Sequence, residues 1–280
     1  MRNRISRPVG RVAIAVAALM VQSATPSVVR LPATAGLAAD SLRVPILVYH
    51  SIAAHYAGEP RAQRLAEVPD SVFALQMRYL GQRGFHVVSL PSLVDALERH
   101  DGVPDRSVVL TFDDGLANHY RNVFPVLRRL GLTATFFVYT TPIGTDSRFM
   151  TWEQLSELQA AGMTIGAHSW THGPLTESHK WLRDEVVNSR DELAQHLGRA
   201  PEFFAYPEGA WDADVVAAVR AAGFRAARGA STGLWNGAAD LYHLRSVPVT
   251  EDMQAFARLL DAASSSSVIA LGAHSRRGTE

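Results

Sequence analysis

Short, apolar, β-rich runs alternate with helix-patterned stretches along this chain from about Arg43 onward. The helical stretches carry apolar side chains three and four positions apart, as at Val123, Val126 and Leu130. Such alternation predicts parallel strands joined by right-handed helical crossovers. The predicted strands are 45–49, 85–89, 108–112, 133–139, 164–167, 203–206, 224–227, 244–249 and 268–271.

The number of repeats predicts a distorted (β/α) barrel. About 240 residues hold roughly eight strand–helix units, so we expect an α/β fold of about seven to eight parallel strands. An open, doubly wound sheet is the rival architecture, and it would place a glycine-rich phosphate loop after the first strand. The first predicted strand ends instead in Tyr49, His50 and Ser51, with no such loop.

Polar or titratable residues follow most of the predicted strands. In a parallel barrel the reactive groups lie at the carboxyl ends of the strands, so these residues are expected to share one rim. The candidate rim residues are His50, Asp113, Asp114, His168, His172, Glu208, Arg245 and His274.

Two adjacent carboxylates, Asp113 and Asp114, follow the strand 108–112. Carboxylates that share a small site repel each other, which raises the pKa of one of them unless a cation is present. A metal ion would resolve the conflict, with one aspartate as its ligand and the other free as a base. The alternative interpretation is an Asp-Gly turn at the start of the next helix.

Two histidines, His168 and His172, stand four residues apart. On one helical turn this spacing would direct both imidazoles at a single point, which suits a divalent metal. One buried and one exposed histidine without a shared ligand is the alternative. Two histidines and one aspartate would leave open coordination positions, which is typical of catalytic metal sites.

These motifs together resemble the polysaccharide deacetylase family, the carbohydrate esterases with a NodB-type homology domain. The resemblance runs from about Val44 to Arg277, and the opening motif is similar to that of the exopolysaccharide (poly-N-acetylglucosamine) deacetylase branch. The matching motifs are LVYHS at 47–51, TFDDG at 111–115, HSWTH at 168–172 and FAYPEG at 204–209, with looser matches at 240–245 and 271–274.

The resemblance implies a metal-dependent hydrolase that removes N-acetyl groups from an N-acetylated glycan, such as poly-N-acetylglucosamine, a chitin-like polymer or peptidoglycan. The expected cofactor is a divalent metal, with Zn²⁺ the expected ion. The implied site comprises the metal ligands Asp114, His168 and His172, the general base Asp113, the general acid His274, and an oxyanion-binding backbone N–H at Glu208.

Two positions depart from the family pattern. Many members carry an arginine that steadies the catalytic aspartate, but the matching position here is Ala205. We therefore predict that Arg245 reaches Asp113 from another strand end. The last motif has one extra residue before His274, which leaves His50 as a second candidate for the general acid.

The amino-terminal segment, residues 1–35, predicts a secretory signal or an uncut signal anchor. Four arginines precede an apolar run at 12–21, and small residues follow it. The run is shorter than the about 20 apolar residues of a membrane span. The catalytic domain would then occupy residues 36–280 of an exported protein in the periplasm, the extracellular space or the cell envelope. Membrane anchoring would come only through an uncut amino-terminal segment.

The amino-acid composition excludes several kinds of site and binding partner. The chain has no cysteine, which excludes disulfides, thiolate zinc sites and cysteine nucleophiles. Its 27 basic and 27 acidic residues create no net positive field for nucleic acid. Without residues 1–35, which hold five arginines and no acid, the net charge is −5. A neutral or cationic partner fits this charge better than a phosphate polymer does. The family resemblance implies an acetylated polysaccharide or oligosaccharide as the substrate.

Two other functions stay open from the residues alone. One is an O-acetyl esterase or small-molecule deacylase on the same fold, and the other is a glycan-binding relative with an idle metal site. The presence of both Asp113 and Asp114 favours an enzyme over the binding protein.

Overall fold

The structure, a computed structural model, describes residues 41–55, 67–177 and 179–264. The predicted signal at 1–35, the predicted strand 268–271 and His274 lie outside these residues. The strands are β1 (Ser41–Arg43), β2 (Ile46–Tyr49), β3 (Ser51–Ile52), β4 (Glu67–Val68), β5 (His86–Val87), β6 (Ser107–Phe112), β7 (Thr135–Val138), β8 (Thr164–Ala167), β9 (Phe203–Ala205), β10 (Ala226–Thr232), β11 (Trp235–Gly237) and β12 (Leu244–Pro248). The helices are α1 (Asp70–Gln82), α2 (Leu90–Arg99), α3 (Phe124–Leu130), α4 (Trp152–Ala160), α5 (Leu182–Leu197), α6 (Ala213–Ala221) and α7 (Met253–Ser264).

Within the described residues, seven parallel strands close into a barrel in the order β2-β12-β10-β9-β8-β7-β6. Closure is visible at β2, where Leu47 pairs with Leu110 of β6 on one side and with Val247 of β12 on the other. The predicted (β/α) barrel is confirmed, and the open sheet is excluded. β5 pairs with the beginning of β6 but is not one of the closing strands.

Four of the barrel strands, β2, β6, β7 and β9, are buried on both faces along their whole length, as expected of parallel strands covered by helices. Alternate residues separate into two clusters. One lies inside the barrel, where Val109, Phe137 and Phe203 meet, and the other packs under the outer helices. Helix α2 adds Leu93 and Leu97 to the inner cluster. The apolar packing therefore fills the amino-terminal part of the barrel and leaves its carboxyl end to polar side chains.

Side-chain caps begin three of the helices that connect the strands: Ser89 caps α2, Thr151 caps α4 and Asp212 caps α6. The Thr151 hydroxyl accepts from the Gln154 backbone N–H at 3.3 Å, and the side-chain Oε1 of Gln154 accepts in return from the Thr151 N–H at 3.1 Å. Asp212 caps α6 by accepting from the Val215 N–H at 2.9 Å. No helix in the described ranges has the length and apolar character needed to cross a bilayer.

Candidate metal and catalytic centre

The predicted metal ligands converge at the carboxyl end of the barrel. Asp114 Oδ1 lies 3.4 Å from His172 Nε2 and 3.7 Å from His168 Nε2. One candidate ligand atom from each residue lies within 4.8 Å of the other two. Three ligands at this separation, two imidazoles and one carboxylate, suit a divalent ion with open coordination positions.

The ring orientation of His168 fits a metal ligand. Its Nδ1 lies 2.7 Å from the Ala205 carbonyl oxygen, which can only accept, so Nδ1 carries the proton and Nε2 offers a lone pair to the centre. Burial is the largest cause that lowers the pKa of His168, to about 4, despite the neighbouring Asp113 carboxylate, which raises it. The imidazole is therefore neutral at pH 7, which is the state that binds metal.

The loop between the two histidines is not helical, so the predicted helical turn is wrong. Ser169 and His172 adopt left-handed backbone conformations, with φ of 68° and 62°, and the Ser169 hydroxyl accepts from the His172 N–H at 3.0 Å. These two reversals, rather than a helical spacing, bring the imidazoles together, with ring centroids 4.8 Å apart. The predicted convergence holds, but loop geometry produces it.

The other aspartate of the pair, Asp113, does not belong to the metal cluster and points into the barrel interior. Both of its oxygens accept from Arg228 Nη2, at 2.6 and 2.5 Å, and both side chains are buried. Burial tends to raise the pKa of Asp113, but the Arg228 guanidinium and the nearby His168 and His50 outweigh it and lower the pKa to about 2. Asp113 is therefore an ionised carboxylate held beside the candidate metal ligands.

Arg228, and not Arg245, makes the predicted contact with Asp113. Along β12, Leu244 and Ser246 face the barrel interior, so the intervening Arg245 points outward. Its guanidinium donates to Asp240 at 2.9 Å and to the Trp235 carbonyl at 3.1 Å. The predicted contact between Arg245 and Asp113 is therefore absent from the described residues.

A signal for Arg228 existed in the sequence. Arg228 directly follows the predicted strand 224–227, and the strand-end rule that selected the other rim residues applies to it as well. In the structure β10 extends to Thr232, and Arg228 alternates with Ala226, which belongs to the inner cluster. Arg228 therefore points inward.

His50 is the second histidine beside Asp113. Its Nε2 lies 3.9 Å from Asp113 Oδ2, and its side chain is 45% exposed, so the ring faces both the carboxylate and solvent. A π-helical segment, His119–Val123, and the preceding Asn118 hold the backbone around it. His119 Nε2 lies 2.6 Å from the His50 carbonyl, and Asn122 donates to the Ile52 carbonyl at 2.7 Å.

Glu208 lies on a short turn after β9, within the 3-10 helix Pro207–Gly209. It has a left-handed backbone with φ of 55°, and its side chain is exposed. Among the described residues, no acceptor engages its backbone N–H. Gly209 is required beside it, because φ is 67° and an added Cβ would lie 2.2 Å from the Ala230 Cβ. The turn therefore presents a free N–H on tightly packed backbone.

Comparison with known proteins agrees with this geometry. The protein-family model described as Polysaccharide deacetylase matches residues 100–227. This match spans a little under half of the chain, and over that range the chain is similar to the polysaccharide deacetylase family. The matched range contains Asp113, the three candidate metal ligands and Glu208, and it ends one residue before Arg228.

The individual proteins that this chain is similar to are distant in sequence. YxkH of Bacillus subtilis (strain 168) is 25% identical over 213 residues, which cover 75% of this chain and 73% of YxkH. The Poly-beta-1,6-N-acetyl-D-glucosamine N-deacetylase of Escherichia coli (strain K12) is 27% identical over 127 residues, which cover 40% of this chain and only 19% of that protein. The Streptococcus pyogenes deacetylase PplD, solved in complex with acetate, has a TM-score of 0.72 at 23% identity, covering 79% of this chain and 97% of PplD. That likeness shows a shared fold.

Proposed function

We propose that this chain is a metal-dependent hydrolase that removes N-acetyl groups from a polymer of N-acetylglucosamine. The family and its relatives named as N-deacetylases indicate a hydrolase that acts on amide bonds, which confirms the predicted enzyme class. The observation that carries the proposal is the cluster of Asp114, His168 and His172 beside the separate, buried carboxylate of Asp113.

The residues fit a divalent metal. Asp114, His168 and His172 would hold the ion, and the Ala205 carbonyl already orients His168 for that role. When bound, a divalent ion supplies a Lewis acid that lowers the pKa of a water molecule and polarises a carbonyl group. Zn²⁺ is the proposed ion, because two imidazoles and a carboxylate match its usual ligands.

The remaining steps fall to the chain's own side chains and backbone. Asp113, kept ionised by Arg228, accepts the proton of the attacking water. The free backbone N–H of Glu208, on the turn after β9, donates a hydrogen bond to the developing oxyanion. Protonation of the leaving amine needs an acid, and the two candidates are His50 and His274. We propose His50, since its imidazole faces Asp113 and solvent together.

An exposed aromatic side chain supports a sugar substrate. Trp211 is 38% exposed and packs on His243 with ring centroids 3.9 Å apart. Its indole edge lies against Gly229, next to Arg228, where an added Cβ would lie 2.8 Å from the indole nitrogen. A flat apolar surface near the site can stack on a pyranose ring. Tyr206 cannot do so, because it is buried.

The substrate test is acetate release from a panel of acetylated glycans. We expect the full chain, loaded with Zn²⁺, to release acetate from β-1,6-linked N-acetylglucosamine oligomers. Chelation of the metal should abolish this release, and addition of Zn²⁺ should restore it. Chitin oligomers, peptidoglycan and acetylated xylan complete the panel. Release from xylan alone would identify an O-acetyl esterase. Bound metal with no release from any member would refute the deacetylase and favour a binding protein.

Replacing His50 tests the general acid. We expect His50→Ala to lower kcat by about 10²-fold or more, since general acid–base groups contribute about 10²–10⁴-fold, without loss of Zn²⁺ affinity. The matched control is His86→Ala, because His86 is an exposed histidine on β5. Steady-state kinetics and Zn²⁺ titration measure both quantities. Full activity in His50→Ala together with a large loss in His274→Ala would assign the acid to His274 instead.

A further inference from the structure

One carboxylate on a neighbouring helix holds the loop that carries the second metal-binding histidine. Glu185, in the first turn of α5, accepts from the Trp170 N–H at 3.1 Å and from the Thr171 N–H at 2.9 Å through Oε2. Its Oε1 accepts from the Thr171 hydroxyl at 2.5 Å. Both oxygens are thus engaged by the two residues that directly precede His172.

The loop needs stabilising contacts from outside itself, because its backbone conformation is energetically unfavourable. Ser169 and His172 are non-glycine residues in the left-handed region, which persists only where the surroundings enforce it. The Ser169–His172 hydrogen bond is internal to the loop and cannot fix its position relative to the barrel. Glu185 supplies a charged connection from this loop to an adjacent helix.

The other contacts of the loop complete the arrangement around Trp170. Its carbonyl accepts from the Thr141 hydroxyl at 2.6 Å and from the Thr141 N–H at 3.0 Å. Its indole N–H donates to Glu192, also on α5, at 3.0 Å. Thr141 therefore holds the carbonyl side of Trp170, while Glu185 satisfies the two N–H groups that lead into His172.

We propose that Glu185 is a positioning residue for the metal centre, a role that rests on the proposed metal dependence. It fixes the Trp170–Thr171 backbone so that His172 Nε2 stays within reach of Asp114 and His168. Groups that orient metal ligands from outside the coordination sphere typically contribute 10- to 100-fold to metal affinity. Glu185 controls the affinity for the ion without contacting it.

The test is Zn²⁺ affinity of the full chain, measured by competition with a chromophoric chelator. We expect Glu185→Ala to weaken Zn²⁺ binding by about 10- to 100-fold. Glu185→Gln should fall between Ala and wild type, because its single amide oxygen can accept from the loop while its NH₂ group faces donors. Asp191→Asn is the matched control, since Asp191 is an exposed acid on the same helix, and it should bind Zn²⁺ as wild type does.

Activity at varied Zn²⁺ provides a second readout. Loss of activity in Glu185→Ala should be largely reversed by excess Zn²⁺, which general damage to the fold would not allow. Wild-type Zn²⁺ affinity in folded Glu185→Ala would overturn the role of Glu185 and leave the metal centre intact. If Glu185→Ala fails to fold, the Zn²⁺ affinity of Glu185→Gln tests the proposal instead. A wild-type Zn²⁺ affinity in Glu185→Gln would then overturn it. Failure of the wild-type chain to bind Zn²⁺ would refute the metal centre and this role together.

Discussion

Asp113→Asn is expected to retain Zn²⁺ and to lose activity by about 10²–10⁴-fold, the usual contribution of a general base. Asp113 is directed at Arg228 rather than at the metal cluster, so its substitution removes proton acceptance without removing a ligand. The amide oxygen of the new side chain can still accept from Arg228, which limits damage to the fold. Acetate-release kinetics and metal analysis of the purified variant measure the two outcomes.

His168→Ala is the contrasting variant. It removes a buried ligand whose Nε2 faces the cluster, so both Zn²⁺ and activity should be lost. A normal rate in Asp113→Asn would show that another group accepts the proton. Loss of Zn²⁺ in Asp113→Asn would show instead that Asp113 belongs to the coordination sphere.

Arg228→Met is expected to lower the free energy of unfolding at pH 7 by about 3–5 kcal/mol, because it leaves Asp113 as a buried charge without its partner. Arg245→Met should cost no more than about 1 kcal/mol, since its partner Asp240 and the guanidinium are both partly exposed. Denaturant unfolding of the two variants measures the difference. Arg228→Met should also lose activity, whereas Arg245→Met should keep it.

The effect of Arg228 should depend on pH with a defined sign. In the wild type the pKa of Asp113 falls from its ordinary value of 3.8 to about 2, so its stabilising contribution is present above 3.8 and disappears as the pH falls through 2. In Arg228→Met, burial without the guanidinium raises the pKa of Asp113, so ionisation then destabilises the fold as the pH rises. The stability difference between wild type and variant should therefore shrink on acidification. A difference that is small and constant with pH would assign Arg228 no such role.

Strand–helix alternation alone predicted the barrel, because parallel strands with both faces buried leave continuous apolar runs that a sequence displays directly. The rule that reactive groups follow such strands placed Asp113, Asp114 and the two histidines at one rim. The family resemblance then assigned Asp114, His168 and His172 as the ligands, and the structure brings these three together. These predictions needed only local information. Strand ends are defined by the run itself, and a closed barrel necessarily gathers them at one rim.

The tertiary structure decided which arginine serves Asp113 and how the histidine loop is held. Arg228 follows the predicted strand 224–227, and Arg245 lies near the beginning of the predicted strand 244–249. Whether each side chain points into or out of the barrel depends on how the strands align in the closed barrel. Glu185 lies on a helix, 13 residues beyond His172, and its contact with the loop depends on how α5 packs. Local patterns identify the groups that can react. Residues distant in sequence meet only when the elements that carry them pack together. The position of Arg228 then keeps Asp113 ionised, and the position of Glu185 fixes that of His172.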